Sequence, residues 1–160
     1  MAKRVHNEDA SDAFYKSGQV FMVRCPRCDG RAEYRVIPSI EAPHDRQGPR
    51  LVCTSCSLTR QADSPFWRYC KDGRDPYFGL PLWLQTNCRG KVLWAYGPQH
   101  VAHVESYIGA EIRERRRHPK WGWSNKSMES RLPRWMVLAK NRDPVLKALN
   151  TLRDRALVSE

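Results

Sequence analysis

No apolar run in the 160 residues approaches the roughly 18 that a spanning helix needs, which excludes a helical membrane protein. The segment from Met1 to Asp9 carries basic side chains with no apolar stretch behind them. No secretory leader is therefore expected, and the cytoplasm is the expected compartment. The chain has no G-x-G-x-x-G, no G-x-x-x-x-G-K-[ST] and no G-x-S-x-G, so dinucleotide, phosphate-loop and nucleophile-elbow signatures are all missing. Internal repeats and low-complexity tracts are also lacking. Acidic residues are scarce: 17 Asp and Glu stand against 28 Lys and Arg, a formal net charge of +11. Such an excess favours polyanionic partners and says nothing of fold. What remains, 41% hydrophobic and 28% charged residues with a mean hydropathy of -0.70, is the composition of a globular domain of 18.7 kDa.

Of six cysteines, four fall as two pairs, Cys25-Pro-Arg-Cys28 and Cys53-Thr-Ser-Cys56. Two residues between thiolates let a tight turn aim both sulfurs at one point, and two such knuckles complete the four-cysteine shell that zinc prefers in closed structural sites. The 24 residues between Cys28 and Cys53 leave room for a hairpin arm that brings the knuckles face to face. Strand-like runs flank both knuckles: Val20–Arg24 and Arg31–Ile37 around the first, Arg50–Cys53 and Ser57–Arg60 around the second. Asp29-Gly30 suits the positive backbone angles that amide-to-sulfur turns require. Disulfides are the competing reading, disfavoured by C-x-x-C spacing in an intracellular chain. Iron is chemically admissible in an all-sulfur shell. Cys70 and Cys88 read as small buried hydrophobes.

His44-Asp45 between the two pairs superficially fits an HNH-type nuclease. The Asn expected before the second pair and the His expected just after it are absent, which leaves a catalytic metal short of ligands. His100 and His103 share a helical face, but Glu105 points elsewhere on the wheel, so no second metal site is expected. With no assembly of base, nucleophile and oxyanion donors in sight, the chain is not expected to be an enzyme.

The predicted organisation is α+β: a polar arm over 1–18, a zinc ribbon over 19–62, and an α+β domain over 63–160. That domain comprises a β-hairpin and about three helices. Leu80–Thr86 and Lys91–Tyr96 form the hairpin around the turn Asn87-Cys-Arg-Gly90. Val101, Val104, Ile108 and Ile112 mark an amphipathic helix from Gln99 to about Arg117. A second helical region spans Ser127 to Asn141, bent or divided at Pro133. A third helix starts at the N-cap Asp143 and buries Val145, Leu149, Leu152 and Ala156.

Charge is concentrated between Glu111 and Arg142, where ten basic residues meet three acidic ones. Arg113, Arg115, Arg116, Arg117 and Lys120 close the first predicted helix and its exit loop, and Lys126, Arg131 and Arg134 follow. These eight are the candidate nucleic-acid contacts, with Trp121, Trp123 and Trp135 interleaved as stacking candidates. The plainer reading is a solvated face complementing a helix dipole. Arg24, Arg27, Arg31 and Arg35 near the first knuckle extend the basic footprint, partly neutralised by Glu33.

Cys25-Pro-Arg-Cys28 and, after a proline-rich arm, Cys53-Thr-Ser-Cys56 resemble the zinc ribbons of transcription factor IIB type over about Gln19 to Ala62. Ribbons of that type serve in transcription factors, polymerase subunits, primases and ribosomal proteins, and as protein docking modules. The stretch Asp75–Leu84, with Leu93-Trp-Ala-Tyr96 and Arg131-Leu-Pro-Arg-Trp135, looks like that of small bacterial zinc-ribbon proteins. The resemblance implies Cys25, Cys28, Cys53 and Cys56 as zinc ligands and brings no catalytic residue. The function expected is binding of nucleic acid or a nucleic-acid-handling machine. The alternative is an adaptor or inhibitor for an acidic protein partner, with Leu80–Leu84 exposed as an apolar patch.

Overall fold

The computed structural model describes residues 4–7, 18–36, 48–65, 68, 73–115 and 132–158. The predicted α+β class holds. Strands β2 (Val20–Arg24), β3 (Arg31–Arg35), β4 (Arg50–Cys53) and β5 (Thr59–Gln61) form one antiparallel sheet in that order. In such a meander the first and third turns lie at the same end. The two Cys-x-x-Cys knuckles are those turns, so topology alone carries the four cysteines together. Strand alternation sorts the side chains: Ala32 and Tyr34 of β3 and Leu51 and Cys53 of β4 are buried, while their neighbours face outward.

β2 buries both faces. Phe21 and Val23 join a ribbon core with Ala32, Tyr34, Leu51 and Leu82, whereas Val20 and Met22 enter a second core built from the hairpin and helices. Its outer edge is closed by main chain from the second half: Met22 donates to Tyr96 O at 2.7 Å, Arg24 donates to Pro81 O at 2.9 Å, and Met22 O accepts from Trp83 at 3.0 Å. At Gly97 the chain passes so close that a Cβ would overlap the carbonyl oxygen of Val20. Gly97→Ala is accordingly expected to lower stability by about 1–3 kcal/mol, read as a depressed melting temperature.

The hairpin consists of β6 (Leu84–Cys88) and β7 (Lys91–Ala95), shifted from the expected bounds. A two-residue turn joins them, Arg89 and Gly90 both with positive φ (53° and 74°), the geometry that matches strand twist. Cys88 therefore lies in a strand and is buried, as expected of a small hydrophobe. Cys70 lies outside the described residues.

Helix α1 runs over Pro98–Gly109 and stops well short of Arg117. Gly109 weakens the helix, Ala110 turns extended, and Ile112–Arg115 becomes strand β8, paired in parallel with β1 (Arg4–Asn7) in the register Arg4 to Ile112. The stretch 4–7, taken from sequence as part of a polar arm, is thus a strand. Arg142 donates to the Ala110 carbonyl at 3.3 Å, securing this exit. A short helix α2 (Arg134–Val137), which starts directly after Pro133, and a 3-10 turn (Ala139–Asn141) follow, with 127–131 of the expected helical region outside the described residues. Helix α3 (Arg142–Leu157) is capped at Asn141 rather than Asp143, which instead places its negative charge in the first turn. Val145, Leu149 and Leu152 are fully buried, as their spacing indicated.

Candidate metal centre

Cys25 and Cys28 come from the turn between β2 and β3, and Cys53 and Cys56 from the turn between β4 and β5. The two turns repeat one another. Cys25 donates its amide to Gly30 O at 2.8 Å, and Cys53 donates to Leu58 O at 2.9 Å, each five residues on. The residue after each second cysteine is left-handed, Asp29 at φ 59° and Ser57 at φ 57°. Asp29, not Gly30, takes the positive angle. A Cβ on Gly30 would meet Ser55 Oγ at 3.2 Å and Cys28 Sγ at 3.3 Å, so this glycine serves close approach of the knuckles.

The four sulfurs lie within 4.8 Å of one another, with Cys25–Cys56 and Cys28–Cys53 both at 3.6 Å. A tetrahedron of sulfurs about 2.3 Å from a central zinc has edges of about 3.8 Å, so the spacing fits a single ion. All four thiols are free, and 3.6 Å is far from a disulfide's S–S length of about 2.05 Å. Cys25 and Cys53 are 3% and 0% exposed, whereas Cys28 is exposed and Cys56 half-buried. The site is anchored on its inner side and open at its rim.

Electrostatics separates the thiols. Desolvation pushes Cys25 up, but the Cys28 and Arg27 amides and the Cys56 and Cys53 sulfurs outweigh it and hold it at about 7. At Cys28 the Gly30 amide pulls down, yet desolvation and the other three sulfurs push it up to about 12. Without a cation the Cys25 thiolate forms readily while the Cys28 thiol holds its proton. A divalent ion at the centre removes that repulsion. Acidification works the other way, protonating the ligands and releasing metal.

Around the first knuckle three of the four arginines have side-chain partners. Arg24 pairs with Asp29 at 3.2 Å and lies 5.5 Å over the Trp83 ring, and Arg31 pairs with Glu33 at 3.2 Å and donates to Val158 O at 2.8 Å. Arg35 donates to Gly18 O at 3.2 Å, and Arg27 is exposed. Arg113 and Arg115 lie on strand β8, not on a helix, and Arg134 is exposed at the start of α2. Arg116, Arg117, Lys120, Lys126 and Arg131, with Trp121, Trp123 and His44, fall outside the described residues. Trp135 packs against the helical core. His100 is buried, accepts the Tyr96 amide on Nδ1 at 3.0 Å and stacks on the Tyr96 ring. Leu80–Leu84 is no exposed patch: Leu82 and Leu84 are fully buried, and Leu80 packs on the ribbon core.

Asp75 escaped the sequence reading. It is fully buried and accepts four hydrogen bonds, from Tyr34 Oη (3.0 Å) and from the amides of Tyr77 (2.9 Å), Phe78 (2.8 Å) and Leu80 (2.7 Å). It folds the Pro76–Leu80 loop over the ribbon core, where Tyr77 and Phe78 meet Tyr34 edge-on. Burial and the adjacent carboxylate hold the Tyr34 phenol protonated, far above its ordinary range. The one local signal was Asp-Pro followed by Gly79, whose φ of 67° closes the turn.

No helix among the described residues is long and apolar enough to cross a membrane. Comparison with protein-family models, curated proteins and solved structures found no match.

Proposed function

We propose that this protein is a non-enzymatic zinc ribbon of transcription factor IIB type that binds nucleic acid, or a machine that handles it, through its basic segment. Zinc is favoured because an all-thiolate, four-point shell suits it and leaves no vacant position for a reacting water. Four free thiols fit a reducing compartment such as the cytoplasm.

The observation that carries the binding reading is the surplus of ten basic over three acidic residues between Glu111 and Arg142. Its first part lies on β8, whose parallel register sets Arg4 opposite Ile112 and adds a further basic residue from β1. Arg113 and Arg115 thus belong to a strand, in place of the helical face expected from periodicity. Phosphate neutralisation by such a cluster releases counterions, which makes binding steeply salt-dependent.

The test is fluorescence anisotropy with labelled single- and double-stranded DNA and RNA across a salt series. Reversal of Arg115, Arg116 and Arg117 to Glu is expected to weaken binding at least about tenfold. On duplex DNA it should also flatten the salt slope by about 0.9 for each phosphate that is no longer neutralised. Equal affinity and slope for wild type and variant would contradict the proposal.

A further inference from the structure

The two edges of the ribbon sheet differ. Main chain from 81–83 and Tyr96 closes the β2 edge, whereas among the described residues β5 pairs with β4 alone, and all three of its residues are exposed. The register fixes which groups are free. Cys53 donates to Leu58 O and Ala62 donates to Pro49 O, so Leu58, Arg60 and Ala62 turn their main-chain groups inward to β4. By strand alternation the N–H and C=O of Thr59 and Gln61 point out of the sheet, and among the described residues no main-chain partner meets them. Four aligned hydrogen-bonding groups are thus presented at a fixed edge.

We propose that the β5 edge is a docking strand for an acidic extended peptide of a partner protein, a function distinct from nucleic-acid binding. An antiparallel peptide strand would bond Thr59 and Gln61 and set its intervening residue directly opposite Arg60, in the pairing where side chains approach most closely. Arg60 is exposed and braced 5.9 Å over the Phe78 ring. A Glu or Asp at the intervening position meets that charge, with the exposed Asp63 marking the end of the strip. The same geometry disfavours a second copy of this chain, because two-fold pairing of β5 would oppose Arg60 to Arg60.

The test uses the full-length, zinc-loaded protein and two labelled peptides, Glu-Thr-Glu-Val-Glu-Thr-Glu and its counterpart with Lys in place of Glu. The acidic peptide is expected to bind at least about tenfold more tightly, and to slow amide exchange at Thr59 and Gln61. Thr59→Pro removes an outward N–H while sparing the bonds to β4, so it should cost at least about tenfold in peptide affinity with metal content and oligonucleotide binding unchanged. Arg60→Glu should reverse the preference between the two peptides. The proposal is overturned if neither peptide binds, if protection appears at amides away from β5, or if Thr59→Pro keeps metal and binds the peptide normally. A dimer of the free protein abolished by Thr59→Pro would overturn it too, since the edge would then serve self-pairing. Should Thr59→Pro lose metal, the exchange measurement on the wild type decides alone.

Discussion

Replacing Cys53 by alanine is expected to abolish stoichiometric metal binding and to unfold the ribbon. Structural zinc in small Cys and His sites contributes about 10–16 kcal/mol of apparent binding free energy, comparable with the entire stability of a domain. Cys53 is the fully buried member of the cysteine cluster, its sulfur 3.6 Å from that of Cys28 and its amide held by Leu58. Its loss removes one corner of the tetrahedron and part of the ribbon core together. Beside the cysteines the ribbon core holds seven buried side chains, among them Phe21, Tyr34 and Leu51. Amide protection should therefore vanish across β2 to β5. The damage should also reach the helical core, because Val20 and Met22 belong to β2. Cys88→Ala is the matched control: a similarly buried free thiol in the other core, whose truncation should leave metal content intact and cost about 1 kcal/mol. Equal metal loss in both variants would show that a general folding defect, not ligation, is being measured.

The second large effect is expected at Asp75. Asp75→Ala would leave the buried Tyr34 hydroxyl and three half-buried amides without their acceptor. Each buried group so orphaned costs about 1–3 kcal/mol, with entering water recovering part, so a net loss of about 3–5 kcal/mol is expected. For a chain of this size that corresponds to a fall in melting temperature of about 10 °C or more. Tyr34→Phe removes one of the four bonds and should cost only about 1.5–3 kcal/mol. A loop that merely covers the ribbon without organising it would show Asp75→Ala no worse than Tyr34→Phe. Neither change touches a sulfur, so zinc stoichiometry in the folded fraction should stay at one per chain.

The four-cysteine cluster was legible in sequence because its signal is local. Each C-x-x-C is a turn whose geometry depends on a few neighbouring residues, and the strands around it alternate visibly. The hairpin and the face of α3 were legible for the same reason. Features that depend on distant partners were not. β1 has its mate at Ile112–Arg115, at the far side of the sequence, so nothing within 4–7 marks it as a strand. That pairing also explains the overlong helix: Ile108 and Ile112 satisfy helical spacing, yet Ile112-Arg-Glu-Arg finds a strand partner in β1. Asp75 read as one more polar loop residue, because the burial of a carboxyl group is decided by the four donors that the fold delivers. The double burial of β2 was hidden too, since a short apolar run does not reveal whether one core or two will claim it.

The most direct measurement is X-ray absorption at the zinc edge on purified full-length protein, together with metal analysis. Four sulfur neighbours at about 2.3 Å and one zinc per chain are expected. A shell containing nitrogen or oxygen, iron in place of zinc, or metal-free protein with Cys25, Cys28, Cys53 and Cys56 oxidised would contradict the account.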